Sequence, residues 1–180
     1  MTRRLVVTGE GIDADTFKNT MATVAATVTV VTSYAADEPI GITVSAFTSV
    51  SVDPPIVLVC IDKSSGSLAP FLAAAGFTVN FLPESATDLA MKFATRGADK
   101  FGSGDWSAPK VAGAGPLLNE AYGALACVTI DKTEMGDHWI LYGRVDAGGI
   151  TNPDASPLLY INRTFAKLEK GQRTNQAGSG

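Results

Sequence analysis

Few residue types in this chain could do chemistry, and they fall into three groups. The only histidine, His138, stands in Gly136-Asp137-His138-Trp139, beside a carboxylate able to hold its ring. A lone histidine opening a strand can orient a substrate or serve structure alone by bonding a neighbour such as Asp137. It has no nucleophile to activate, because no G-x-S-x-G elbow exists. Hydroxyls form the second group: Thr43, Ser45, Thr48, Ser49 and Ser51 crowd one β-branched stretch, and Ser64, Ser65 and Ser67 precede an apolar helical run. A serine loop entering a helix offers hydroxyls and unpaired amides to an anion such as a phosphate, although helix capping would explain the same serines. Cys60 and Cys127, the third group, lie far apart inside apolar runs and read as small buried hydrophobes. A disulfide is unnecessary in a domain of this size, and one histidine without paired cysteines disfavours metal, so none is expected.

The elements that must carry these residues are mostly strands. Gly41 to Ile61 reads as a hydroxyl-bearing strand, a break at Asp53-Pro54-Pro55, and a buried apolar strand, Ile56 to Ile61. Hydroxyls on both parities of the first strand leave one face for core and one for something polar. Asp13-Ala14-Asp15-Thr16 caps a short helix bearing Phe17, Met21 and Val24 on one face. Thr27 to Thr32 is a strand, paired through a turn over Tyr34 to Pro39 with the strand at Gly41. Leu68 to Ala75 is a helix ended by Gly76, Phe77 to Leu82 a strand, and a helix runs from Pro83 through Phe93 to Arg96. Gly102 to Pro116 is a loop long enough to cover a site. Ala121 to Asp131 and His138 to Gly148 form a hairpin, and Ser156 to Arg163 is a further strand. Six or more strands with two or three short helices predict a β-barrel with helical decorations.

Composition narrows the class. The chain has 180 residues, 46% apolar and 18% charged, which suits one folded domain. A net charge of −4 without long runs marks no nucleic-acid or anionic-membrane surface. No apolar stretch approaches the roughly 20 residues that span a bilayer, and Met1 to Val7 makes a poor signal peptide, so a cytoplasmic address is expected. The domain is expected over residues 13–169, after an N-terminal extension (1–12) and before a disordered tail (170–180).

Gly-Ile-Thr-Val-Ser-Ala-Phe-Thr-Ser-Val-Ser-Val-Asp-Pro-Pro, from Gly41, resembles the flavin-contacting segment of the short-chain flavin reductases. Those are NAD(P)H:flavin oxidoreductase components of two-component flavin-dependent monooxygenases. Further matches follow in the family's order between Phe17 and Leu168. The resemblance implies a mainly β, Greek-key, FMN-binding split barrel with a few short peripheral helices. It implies FMN or FAD as cofactor and NADH or NADPH as hydride donor. Thr43, Val44, Ser45 and Ala46 match contacts to the isoalloxazine and ribityl chain, and Ser49 and Ser51 match positions near its polar edge. Val59, Cys60, Ile61, Ser64 and Ser65 match the stretch reaching the ribityl and phosphate. Asn80 resembles a residue bracing the site. Phe93, Arg96, Lys100 and Phe101 resemble the R-F…D-K-F region near the phosphate or adenine end, with Ala94-Thr95 intervening. His138 matches the family's Gly-Asp-His and Tyr160 and Arg163 its closing strand, all near the nicotinamide. The segment Asn162-Arg163-Thr164-Phe165 departs from relatives that carry Gly and an aromatic there.

No Rossmann fingerprint is present, since Gly102-x-Gly104 follows no strand. A nicotinamide must therefore stack on a surface prepared by something else, and an isoalloxazine would serve. The resemblance further implies a homodimer that passes diffusible reduced flavin to a separate oxygenase, with no nucleic acid, membrane or metal partner. An electron-transfer or non-catalytic flavin-binding protein on the same barrel is the alternative, and an unliganded interaction domain the plainest one.

Overall fold

The computed structural model describes residues 11–168; the expectations for residues 1–10 and for the tail lie outside them. The protein is mainly β. Helix α1 (Ala14–Ala22) starts where expected, because Asp13 Oδ1 accepts hydrogen bonds from the amides of Asp15 and Thr16 at 3.0 and 2.9 Å. Strands β1 (Ala26–Thr27) and β2 (Thr29–Ala35) divide the run expected as one. Strands β3 (Glu38–Val44), β4 (Phe47–Val52) and β5 (Pro55–Asp62) precede helix α2 (Leu68–Ala73). Strand β6 (Gly76–Phe81) leads to helix α3 (Thr87–Ala94), whose start lies four residues beyond Pro83. Strands β7 (Trp106–Ser107) and β8 (Leu117–Leu118) pair within the expected loop, and β9 (Gly123–Met135) and β10 (His138–Ile150) form the long hairpin. Strands β11 (Leu159–Ile161) and β12 (Thr164–Ala166) end the described chain.

Seven strands form one antiparallel sheet in the order β3-β2-β6-β9-β10-β5-β4, and β1, β11 and β12 form a small second sheet. The β9–β10 turn contracts to Gly136-Asp137, with Gly136 at φ 59°, so pairing extends to His138↔Met135. Three differences from the sequence expectation share a cause: tertiary pairing divides or extends stretches that look uniform along the chain. The most consequential is at Ser45-Ala46. There the expected single hydroxyl-rich strand splits, and its halves become the two opposite edges of the sheet.

Two cores follow from the two faces. Val31, Val44, Val59, Ile61, Phe77, Val79 and Leu141 pack on one side together with Phe71 of α2. Val28, Val30, Leu82, Phe93 and Leu158 pack on the other, beneath α3. Neighbours Val30 and Val31 therefore face different cores, which is why the first five residues of β2 are all buried. A buried polar set ties β2 and β6 to the segment before β8. Asn80 Nδ2 donates to Val30 O, Thr32 Oγ1 and Pro116 O, and its Oδ1 accepts from Leu118 N at 2.9 Å. Thr32 and Thr78 hydroxyls donate to Pro116 and Gly115 carbonyls, each at 2.6 Å. A Cβ on Gly115 would collide with the Thr32 backbone, so that strap lies directly against β2.

Among the described residues no helix is long and apolar enough to cross a membrane, and no three His, Cys, Asp or Glu side chains converge as metal ligands. Both cysteines are free; Cys127 is buried and Cys60 half-buried. Burial, with Asp146 adding to it, pushes the Cys127 thiol up to about 12, and burial also raises Cys60. Because the folded value lies above the ordinary 9.0, the neutral Cys127 supports the fold fully below pH 9 and loses that support as pH rises toward 12.

Two outcomes are expected. Asn80→Ala should lower the unfolding free energy by about 3 kcal/mol, since it strands several buried partners at once; urea denaturation against wild type reads this directly. At pH 8, a thiol reagent should leave Cys127 unmodified in native protein and react with it fully in denaturant. Rapid native labelling would contradict the buried placement.

Candidate active site

The sequence candidates gather at one flank of the sheet, where β3, the α2 approach and the end of α3 meet. Ser64 and Ser65 leave β5 in a tight turn: the Ser64 amide donates to Asp62 Oδ1 at 2.6 Å, and Ser65 Oγ accepts from Ser67 N at 3.2 Å. Ser67 stands at the N-cap of α2 without making a side-chain cap bond, so capping does not consume its hydroxyl. Opposite them, α3 ends at Ala94, and the chain turns through Arg96 and Gly97 toward Lys100. The result is a cleft of about 490 Å³ whose walls include Ile42, Ser64, Ser65, Phe93, Arg96 and Lys100. Two cations and three serines line it and no carboxylate does, which makes it a site for an anion. The Arg96 guanidinium packs over Gly66, within 4 Å of where a Cβ would stand, a distance at which a side chain would also fit. Lys100 donates one ammonium hydrogen to the Gly41 carbonyl at 2.9 Å, leaving two for a ligand. Partial burial pulls its ammonium below the usual value, and a bound anion would offset that desolvation.

A second pocket of about 230 Å³ adjoins the first across Ala94. Its walls are largely apolar and include Thr43, Val44, Ser45, Met91, Tyr160 and Phe165. The Thr43 hydroxyl is already committed, donating to Ala90 O at 2.6 Å, and the Val44 carbonyl accepts from Thr29 Oγ1 at 3.0 Å. What the segment keeps for a ligand is its backbone, because β3 is an edge strand and leaves alternate amides and carbonyls unpaired. Tyr160 and Phe165 meet edge to face at 5.7 Å and set the outer wall. A third recess of about 290 Å³, which Phe101 lines, shares Ser67 and Lys100 as walls with the cleft.

Other candidates lie elsewhere. Val59 and Ile61 point into the core, and Cys60 sits between them on β5, paired on both sides by β4 and β10. Asn80 is fully buried with its amide saturated, so its side chain braces the strands and has no surface for a ligand. Ala46 is exposed at the β3–β4 connection, and Ser49 and Ser51 lie on edge strand β4, outside the three pockets. Arg163 occupies the two-residue β11–β12 turn with Asn162, both at positive φ, and donates to Asn19 Oδ1 of α1 at 2.7 Å. That left-handed turn is the reason the position suits Gly or Asn.

His138 lies at the start of β10, directly across from Asp62 and so two residues from Ser64 at the cleft wall. Its Nδ1 is 2.7 Å from Asp137 Oδ1, which fixes the ring, and that contact holds the Asp137 carboxyl below its usual range. Bonds from Ser64 hold Asp62 low, so two carboxylates flank the imidazole. Lys63 braces the same corner, donating to Gly136 O at 2.6 Å and pairing with Glu134. His138 does not itself line the pockets.

The sequence matches the flavin reductase-like domain over residues 21–169. The chain belongs to that family. It is 38% identical over 167 residues to a flavin reductase (NADH) of Kitasatospora aureofaciens, covering 91% of this chain and 87% of that protein. It is 40% identical over 134 residues to the reductase component of a 4-nitrophenol 4-monooxygenase/4-nitrocatechol 2-monooxygenase of Rhodococcus opacus, covering 74% and 71%. Among solved structures, the NADH:FAD oxidoreductase of Streptomyces globisporus, in complex with NAD and FAD fragments, superposes with a TM-score of 0.81 at 30% identity, covering 90% and 98%. Met91, Phe165, Gly66 and Ser67 line pockets here but were not singled out as contacts from the family's motifs. For Met91 a signal existed: it sits between Ala90 and Phe93, the buried residues of α3, on the helix's outer face.

The cleft makes a direct prediction independent of any cofactor. Inorganic pyrophosphate should bind, and Arg96→Ala should weaken it roughly tenfold, the loss of one charge-assisted contact. Calorimetry reads the change, and an unaltered affinity would remove Arg96 from the anion site.

Proposed function

We propose that this chain is an NAD(P)H-dependent flavin reductase that reduces FMN or FAD and supplies free reduced flavin to a separate monooxygenase component. The observation that carries this reading is the joining of a cationic, serine-lined cleft to an apolar pocket edged by free strand backbone. A phosphate-bearing, flat, mostly apolar ligand with one polar edge fits that pair, and flavin has this form. Membership in the flavin reductase-like family supports it.

Bound flavin would supply the acceptor for a hydride from reduced nicotinamide, chemistry that no side chain of this protein can perform. The protein's share is positioning. Arg96, Lys100 and the serines at 64, 65 and 67 hold the phosphate. The backbone of Thr43 to Ser45 addresses the polar edge of the ring, and Tyr160 and Phe165 wall its apolar part. His138, its ring steadied by Asp137, orients the nicotinamide from the end of β10. Rate then comes from proximity and orientation rather than from a proton moved at the reacting atoms.

Two finer features belong to the same reading. The sheet is a split barrel, supported by edge strands β3 and β4 being joined through only Ser45-Ala46. The enzyme is a homodimer, supported by α1, which buries none of its residues and exposes Phe17 and Met21. A cytoplasmic setting agrees with two free thiols.

Anaerobic mixing of protein, flavin and NADH, followed at the flavin and nicotinamide bands together, should give stoichiometric and then catalytic bleaching. Flavin binding without bleaching would instead indicate storage or electron transfer. His138→Ala should raise the KM for NADH roughly tenfold while leaving flavin affinity unchanged. Equal loss of both would make the histidine structural.

A further inference from the structure

Helix α2 carries one wall of the anion cleft, through Ser67 and the turn before it, yet little within the helix holds it in place. It has six residues, about half the roughly 12 at which an isolated helix becomes even marginal in water. Ser67 gives it no side-chain cap, and Phe71 is its only buried residue. One buried side chain acts as a pivot: it seats the helix on the core without fixing its direction.

The direction is fixed from the far end, by β9. Thr129 lies opposite Gly143 and Asp131 opposite Tyr142, so Ile130 is an extra residue, a bulge in the β9–β10 ladder. In an unbroken strand Asp131 would share the face of Cys127, which packs in the same core as Phe71. The inserted residue gives that face to Lys132 instead, opposite the buried Leu141 of that core. Its ammonium donates to Leu72 O at 2.6 Å and to Ala74 O at 3.3 Å. Both carbonyls stand at the C-terminal end of α2, where main-chain acceptors lack helical partners and a positive charge is favoured. A carboxylate there would be repelled, so the bulge decides the sign of the charge that meets the helix. The chain past Ala74 is already tied to the sheet, since the Thr129 amide donates to Ala75 O at 2.9 Å. Lys132 extends that attachment back into the helix.

Resting on the flavin-reductase reading for the ligand's identity, we propose that Lys132 is a positioning residue for the flavin phosphate. By anchoring the far end of α2 it sets where Ser67 and the serine turn stand against Arg96 and Lys100, roughly 9 Å away at about 1.5 Å per residue. Lys132 lines neither the cleft nor the pockets beside it, so its effect runs wholly through α2. Linkage makes the effect reciprocal: an anion bound at the near end must steady the far end as well.

The test is ligand affinity in variants of the full chain. Lys132→Met keeps the aliphatic stem and removes the ammonium; it should weaken pyrophosphate and FMN roughly fivefold each, as read by calorimetry. Lys132→Arg, which keeps the charge and the donors, should stay within about twofold of wild type. The KM for NADH at saturating FMN should be unchanged in both. Wild-type affinity in Lys132→Met, an equal loss in Lys132→Arg, or a matching rise in the KM for NADH would overturn the assignment. The wild-type chain supplies a second reading that needs no variant. Saturating pyrophosphate should slow hydrogen exchange several-fold at the Ala74 amide, which closes the end of α2 on Pro70 O, and leave the Phe17 amide of α1 unchanged. No slowing at Ala74, or the same slowing at Phe17, would overturn it. If pyrophosphate binds in this way and neither flavin does, the reductase reading falls while the role of Lys132 at the anion cleft stands.

Discussion

Val44 and Phe47 are three residue steps apart, so their Cα atoms lie within about 11 Å. The strands that they end and begin are nevertheless the opposite edges of a seven-stranded sheet. A flat antiparallel sheet would set its edges about 28 Å apart, six spacings of some 4.7 Å each. The sheet must therefore curl until its edges nearly meet at Ser45-Ala46, and the rest of the architecture follows. One face turns inward around Val59, Ile61, Phe77 and Leu141, and the other receives α3. With no strand beyond β3, its outer backbone stays available beside the pocket that α3, β11 and β12 enclose.

The curl also explains the division of labour among hydroxyls. Residues with similar side chains end in opposite roles according to which side of the sheet they reach. Thr32 and Thr78 are buried and spend their hydroxyls holding the strap at Gly115 and Pro116. Asn80 is part of the same set, and its loss would loosen the strap before it disturbed any ligand. The serines after β5 lie instead where the chain leaves the sheet, bonded only within their own turn, and they line the cleft with Arg96 and Lys100. Rigid polar packing on one side and polar groups held only by their own turn on the other are complementary, because a site placed on firm elements holds its geometry.

Charge is distributed with similar economy. Overall the chain is mildly acidic, at −4, but the only charged side chains lining the cleft beside α2 are the cations Arg96 and Lys100. Acidic side chains reappear on both flanks, as Asp62 and Asp137 around His138 and as Glu38 and Asp99 beyond Lys100. His138 stands at one end, next to the turn carrying Ser64, rather than inside the pockets.

Local properties were legible in the chain alone. The Asp13 cap, the serine loop before α2 and the isolated Gly-Asp-His unit depend on neighbours within a few residues, and each stands where its pattern placed it. The order of family motifs also gathered Ser64, Ser65, Phe93, Arg96 and Lys100 before any distance was known. What one dimension could not contain was which stretches pair. Nothing in Thr43 to Ser51 announces that Ser45-Ala46 divides it between two sheet edges, because that break comes from ladders formed with β2 and β5. For the same reason Val59, Ile61 and Asn80, which share the site's motifs, face core and brace strands instead. Side-chain type is a local property of the chain, whereas the face and edge on which a residue lies are set by pairing between distant strands, and only the tertiary structure decides those.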